Sequence, residues 1–184
     1  MPTNSYELSF ELPALNEEAE DLVAGQFDSV IAVHAGVTTV TLTADGDDCV
    51  SAAIAAINTL RTLGAEPTRL VDDVISRSEI ARRMNVTPQS VGQWIRGERH
   101  AESPFPSPYI LTEGGLWLWG EIVLALVNRG VEVEEMAYPS RRDIQLIGGV
   151  LATHAIASES RSTSHPRGPI DHFTTNRSRA VQRI

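Results

Sequence analysis

The sequence predicts an α+β fold in two parts, and three observations carry that prediction. Over residues 1–73 the apolar pattern switches between periods of two and about 3.6, in the order βαββαβ. Over Ser76–Gly97 two short capped helices face each other across a tight turn. After them come a proline-rich extended segment, a glycine turn, an aromatic strand and another helix. At 184 residues the chain is long enough for one medium domain or two small ones.

Tyr6–Leu12 alternates apolar and polar residues, a strand signature that Pro13 ends. Asn16 is an N-cap, with Glu17 and Glu18 in the first turn, where the helix dipole favours anions. Ala19, Leu22, Val23 and Phe27 are the expected buried stripe of that helix. Ser29–His34 and Val37–Thr43 form a hairpin through Ala35-Gly36. Asp45-Gly46-Asp47 makes a turn, and Asp47 or Asp48 caps a second helix to about Leu63. Its expected apolar face is Val50, Ile54, Ile57 and Leu60, with Gly64 as the C′ residue. Thr68–Asp72 is the fourth strand. This order resembles a ferredoxin-like sandwich and is similar to the ACT type used as small regulatory domains. The resemblance implies a role in oligomerisation, partner binding or sensing.

Ser76 and Glu79 have capping-box spacing, so the first helix of the pair starts there. Ile80, Ala81 and Met84 face inward, and Ala81 is small where the second helix crosses. Asn85 sits at the turn, where it tolerates the left-handed conformation. Val86 plugs the turn. Thr87 caps the second helix and Pro88 occupies its first position, where a missing N–H costs nothing. Val91 and Trp94 bury, which leaves Thr87, Gln89, Ser90, Gln93 and Arg96 as candidate base-reading residues. Gln pairs with adenine edges, Arg with guanine, and Ser or Thr with either bases or phosphates. Gly92 weakens the helix but permits close approach. Arg77, Arg82, Arg83, Arg99 and His100 are candidate phosphate contacts, which position without reading.

The segment that follows runs through Ser103-Pro104-Phe105-Pro106-Ser107-Pro108-Tyr109 to Leu111–Trp119, then a helix at about Gly120–Asn128 closed by Gly130. With the helix pair before it, this pattern resembles the winged helix-turn-helix of MerR-type and excisionase-type DNA-binding proteins, over residues 74–130. The resemblance implies that Trp117 and Trp119 pack wing and last helix onto the recognition helix, with Glu121, Ile122 and Leu126 on that last helix. One departure is clear: the wing tip, Thr112-Glu113-Gly114-Gly115, carries an acid where such wings are often basic. Arg99 and His100, at the base of the wing, are therefore the better phosphate candidates there. Residues 74–136 form the second domain on this reading. Ile144, Ile147, Leu151 and Ile156 predict a C-terminal helix within 137–157, interrupted at Gly148-Gly149, and 158–184 reads as a disordered tail.

Charge distribution supports this division. The net charge is −9. Residues 1–75 carry 13 acidic groups against Arg61 and Arg69, a net of −11, whereas 76–100 carry five Arg against Glu79 and Glu98, a net of +3. The helix-turn-helix is a basic island in an acidic folded region. All 15 basic residues are arginine, suited to bidentate contacts, although a GC-rich genome gives the same bias.

Enzymatic and metal chemistry find no pattern to rest on. The histidines at 34, 100, 154, 165 and 172 are scattered, the Asp45–Asp48 cluster lacks the calcium-loop spacing, and no phosphate loop or nucleophile elbow occurs. The single Cys49 allows no internal disulfide and reads as a small buried residue. No apolar run spans a bilayer, and MPTNSYELSF lacks a signal-peptide pattern. The expectation is a cytoplasmic, non-enzymatic, cofactor-free regulator that binds double-stranded DNA as a homodimer, with a possible protein partner for the N-terminal domain. The alternative is an adaptor or antitoxin-like module whose helix-turn-helix binds protein.

Overall fold

The computed structural model describes residues 4–98, 104–131, 133 and 136–162. It is mixed α+β, with an antiparallel four-stranded sheet at its centre. Strand β1 (Asn4–Leu12) lies inside that sheet, flanked by β3 (Val37–Gly46) and β4 (Arg69–Leu70), and β2 (Ser29–His34) is the outer neighbour of β3. The strand order is β2-β3-β1-β4. Leu8 opposite Leu42 and Phe10 opposite Val40 fix the central register, so both strands turn the same apolar set to one face. Ala35 and Gly36, at φ 50° and 81°, form the two-residue turn that joins β2 to β3.

Helices α1 (Glu17–Gln26) and α2 (Cys49–Thr62) start at the expected caps: Asn16 Oδ1 accepts from the Ala19 N–H and Asp48 Oδ1 from that of Ser51. Asp48, not Asp47, is therefore the cap. The buried face of α2 differs from the expected one. Cys49, Ala52, Ala53, Ala56, Ile57 and Leu60 are buried, while Val50 and Ile54 are only half-buried. Alanines let the helix lie close to the strands: a Cβ at Gly46 would come within 2.8 Å of the Ala52 Cβ. On α1, Ala19 and Val23 are buried, but Leu22 faces outward.

The fourth strand is shorter than the expected Thr68–Asp72, because only Arg69 and Leu70 pair in register with Glu11 and Phe10. Single bonds extend it: the Thr68 N–H donates to Glu11 and that of Val71 to Ser9. Here the chain leaves the sheet. Strand β5 (Val74–Ile75), which the sequence pattern did not predict, pairs with β6 (Trp117–Leu118) in a separate two-stranded sheet. Helices α3 (Arg77–Arg83), α4 (Pro88–Ile95) and α5 (Trp119–Val127) build a second core around Ile75, Ile80, Val91, Trp117 and Ile122.

The chain then returns. Ala137 bonds to both Ser5 and Glu7 of β1, on the edge it had left. Ser140 and Asp143 cap α6 (Arg141–Ser162), with Ser140 Oγ and N–H both donating to Asp143 Oδ2. This helix runs unbroken through Gly148-Gly149 and past the expected end at 157, a correction with a clear cause. Ile147 and Leu151 are buried in the first core against α2 and β4, and that burial outweighs the roughly 1 kcal/mol each glycine costs a helix. Of the segment 158–184 read as a disordered tail, 158–162 continue α6, and 163–184 lie outside the described residues.

Candidate nucleic-acid interface

The two short helices are defined at all four ends by local chemistry. Ser76 Oγ accepts from the Glu79 N–H at 3.3 Å, and Thr87 Oγ1 from that of Ser90 at 3.2 Å. Asn85 takes φ +51°, and the Val86 and Asn85 N–H groups return to Ala81 and Arg82 carbonyls. Gly97, at φ +69°, closes α4 in the same way, with Glu98 and Gly97 bonding back to Gln93 and Trp94. Both are Schellman closures, which satisfy carbonyls that a helix end otherwise leaves open.

Ile80, Ala81 and Val91 are buried where α3 and α4 cross, and Trp94 is half-buried. Trp94 meets Phe105 at 6.4 Å between centroids, and Phe105 meets Trp117 edge-on at 6.2 Å. The Trp117 indole N–H donates to the Pro106 carbonyl at 3.0 Å. The FPxP segment is thus clamped between two tryptophans at the C-terminal end of α4. An isolated bridge joins Ile110 to Leu116, and Thr112–Gly115 forms the turn between them. Trp119 packs elsewhere, edge-on to Tyr138 at 6.4 Å and beneath Arg83. Glu121 is not on the exposed side of its helix: it takes a bidentate bond from Arg141, at 2.8 Å to each oxygen, and ties α5 to the start of α6.

The candidate base-reading residues are brought onto one helix. Gln89 is exposed and Gln93 half-buried, and neither amide has a hydrogen-bond partner among the described residues. Thr87 and Ser90 engage each other, hydroxyl to hydroxyl at 2.9 Å. Arg96 forms a bidentate pair with Glu98, at 2.6 and 3.2 Å, which holds the Glu98 carboxyl below the usual carboxylate range. Gly92 has a role that spacing alone did not reveal. Its missing Cβ would lie 3.3 Å from one guanidinium nitrogen of Arg96 and 3.7 Å from one of Arg77. Two arginines from different helices therefore converge over one gap.

The candidate phosphate residues divide. Arg77 has no ion-pair partner among the described residues. Arg82, its side chain 72% exposed, pairs with Glu79 at 2.6 and 2.9 Å. Arg83, 28% exposed, bonds both Asp73 oxygens and Glu79, and lies 4.9 Å from the centroid of the Trp119 ring. Its guanidinium is turned toward the sheet rather than away from it. Glu79, shared by both arginines, is pulled down to about 2, chiefly by its bond from Arg82. Arg99 and His100 lie outside the described residues. Exposed Ile95 adds an apolar group on α4 that the polar-face reading missed.

Between this unit and the open face of the sheet lies a cleft of about 860 Å³, lined by Glu7, Ser9, Thr41, Asp72, Arg83 and Trp119 among others. No family model, curated protein or solved structure matches the chain. Function has to be argued from the geometry itself. Among the described residues no cluster of His, Cys, Asp and Glu could hold a metal, and no helix is long and apolar enough to cross a membrane.

Proposed function

We propose that the chain is a sequence-specific DNA-binding regulator that inserts α4 into the major groove. The observation that carries this reading is the state of α4: one side locked in an aromatic and aliphatic core, the other presenting Gln89 and Gln93 with amides that no described residue engages. A helix anchored this way can offer its N-terminal polar groups to base edges without losing packing. Arg77, which has no ion-pair partner among the described residues, adds positive charge beside that face, as phosphate contact requires.

On this reading residues 74–130 form a winged helix-turn-helix like those of MerR-type and excisionase-type proteins, working in the cytoplasm. The strand order β2-β3-β1-β4, antiparallel throughout, supports the ferredoxin-like reading of the N-terminal part. One recognition helix makes too few contacts for regulatory specificity, so two copies bind half-sites about one helical turn apart.

Selection of genomic fragments by the purified protein, followed by titration across a salt series, tests the proposal. Arg96→Ala and Gln93→Ala should each lose roughly 1–3 kcal/mol on the selected site. Failure to retard any fragment at low salt would overturn the DNA reading and leave the protein-binding module in its place. Full retention of affinity by both variants would remove α4 as the reading helix.

A further inference from the structure

We propose that β2 is the seam of a homodimer, pairing antiparallel with β2 of a second copy so that the two four-stranded sheets become one. The proposal deepens the regulatory reading, on whose need for two copies its biological use rests. The observations behind it do not involve DNA.

Strand β2 is the open edge of the sheet, and among the described residues it bonds only to β3. The Thr43 N–H donates to the Asp28 carbonyl, which sets the parity of the ladder: even-numbered residues of β2 bond to β3. The odd-numbered residues Ser29, Ile31 and Val33 therefore direct their N–H and C=O groups outward. An unpaired edge is a template for another strand, and proteins that remain monomeric blunt it with charge, proline or a bulge. The sequence SVIAVH has no such device. Its register with β3 is unbroken over six residues.

Apolar side chains flank the edge on both faces of the sheet. Val30 is 67% exposed on the open face. On the helical face Val33 is 69% exposed, and Leu22 of α1, the helix packed on β2, is 47% exposed. Leu22 matches the apolar spacing of a core position yet is left outside the core of a single chain.

Charge selects the occupant. Residues 1–75 carry a net −11, so most approaches of two copies are repulsive. Residues 29–44, covering β2 and most of β3, contain no Asp, Glu, Lys or Arg at all. A basic partner would seek the acidic surface, whereas a second identical chain meets this uncharged strip without like-charge contact. The strip is also self-complementary. With a twofold axis at Ile31, Ser29 faces Val33 of the second copy and Val30 faces Ala32, so each outward N–H meets an outward C=O. The two exposed Val33 side chains then lie on the same face as the two Leu22.

Sedimentation equilibrium of the full chain at about 100 μM, without DNA, tests the seam. The wild type should be dimeric. Val33→Glu should be monomeric, because it sets a carboxylate into the strip of each copy, with far-UV circular dichroism unchanged. Val33→Pro removes an outward N–H that β3 does not use and should act in the same way. Ile156→Glu, on α6, should remain dimeric. A monomeric wild type overturns the proposal, as does a dimer that survives both Val33 substitutions or one broken only by Ile156→Glu. A dimer that retards no DNA keeps the seam and removes the DNA reading. A monomer that retards DNA does the reverse.

Discussion

Arg83 holds both carboxylate oxygens of Asp73, at 2.6 and 3.0 Å, from the last turn of α3. Asp73 lies between β4 and β5, so this pair fixes α3 and α4 to the strand that leads into them. The position of the ring of Trp119 beneath the same guanidinium adds a cation–π contact.

Arg83→Ala should therefore act on stability. Loss of a half-covered bidentate pair and a cation–π contact should cost about 1–2 kcal/mol, which for a chain of this size lowers Tm by about 2–8 °C. Arg82→Ala, its side chain mostly in solvent, should leave Tm nearly unchanged. On the proposed function it should weaken binding to all DNA sequences alike and reduce the salt slope. Thermal unfolding and salt-dependent titration of both variants check the contrast.

Glu98 competes with any anion for Arg96, which it grips through two bonds. Glu98→Gln should release that guanidinium and raise the net charge of residues 76–100 from +3 to +4. Non-specific DNA binding should tighten a few-fold at low salt, with the slope against log salt steeper by about one unit. A slope equal to that of the wild type would mean that the freed Arg96 does not reach the DNA.

Gly148 and Gly149 sit inside α6, and a Cβ at either would meet nothing within 4 Å. Gly148→Ala and Gly149→Ala should each stabilise the protein by about 0.5–1 kcal/mol, since alanine loses less backbone freedom on folding. Chemical denaturation of the single and double variants should give nearly additive gains.

Burial pushes the Cys49 thiol up to about 12, with Asp143 and Asp48 adding to the effect. The folded state thus keeps a proton that the unfolded chain releases near pH 9. Stability from this site is fully present below pH 9 and is lost as pH rises from 9 toward 12. The folded protein should resist iodoacetamide at pH 8, whereas the denatured chain should react readily. Cys49→Ala should lessen the alkaline loss.

Elements with a local signature were legible in the sequence. Tyr6–Leu12 shows period two, and the caps Asn16, Ser76 and Thr87 and the turn residue Asn85 are each where the sequence predicted them. What escaped depends on partners far along the chain. Two-residue strands such as Val74–Ile75 have no periodicity to read, and only Trp117–Leu118 gives them a ladder. Close approach of α2 to the sheet favoured Ala52 and Ala56 over the larger Val50 and Ile54. Glycines that read as a break in α6 are carried by Ile147 and Leu151. At the candidate site, residue types marked the arginines as candidates, but could not reveal that Asp73 and Trp119 engage Arg83.

The backbone departs β1 at the Val71–Ser9 bond and comes back at Ala137, bonded to Ser5 and Glu7. Topologically, everything from β5 to α5 is an inserted loop with both feet on one strand, their anchors at Ser9 and Tyr6 about 10 Å apart at ordinary strand spacing. A module on a single linker samples a cone of orientations and loses that freedom each time it binds. This one, tethered twice, has lost it already at folding. On the proposed function, two copies would meet a target as a caliper of fixed span, so inserting a few base pairs between half-sites should be tolerated far less than it is by flexibly linked domains.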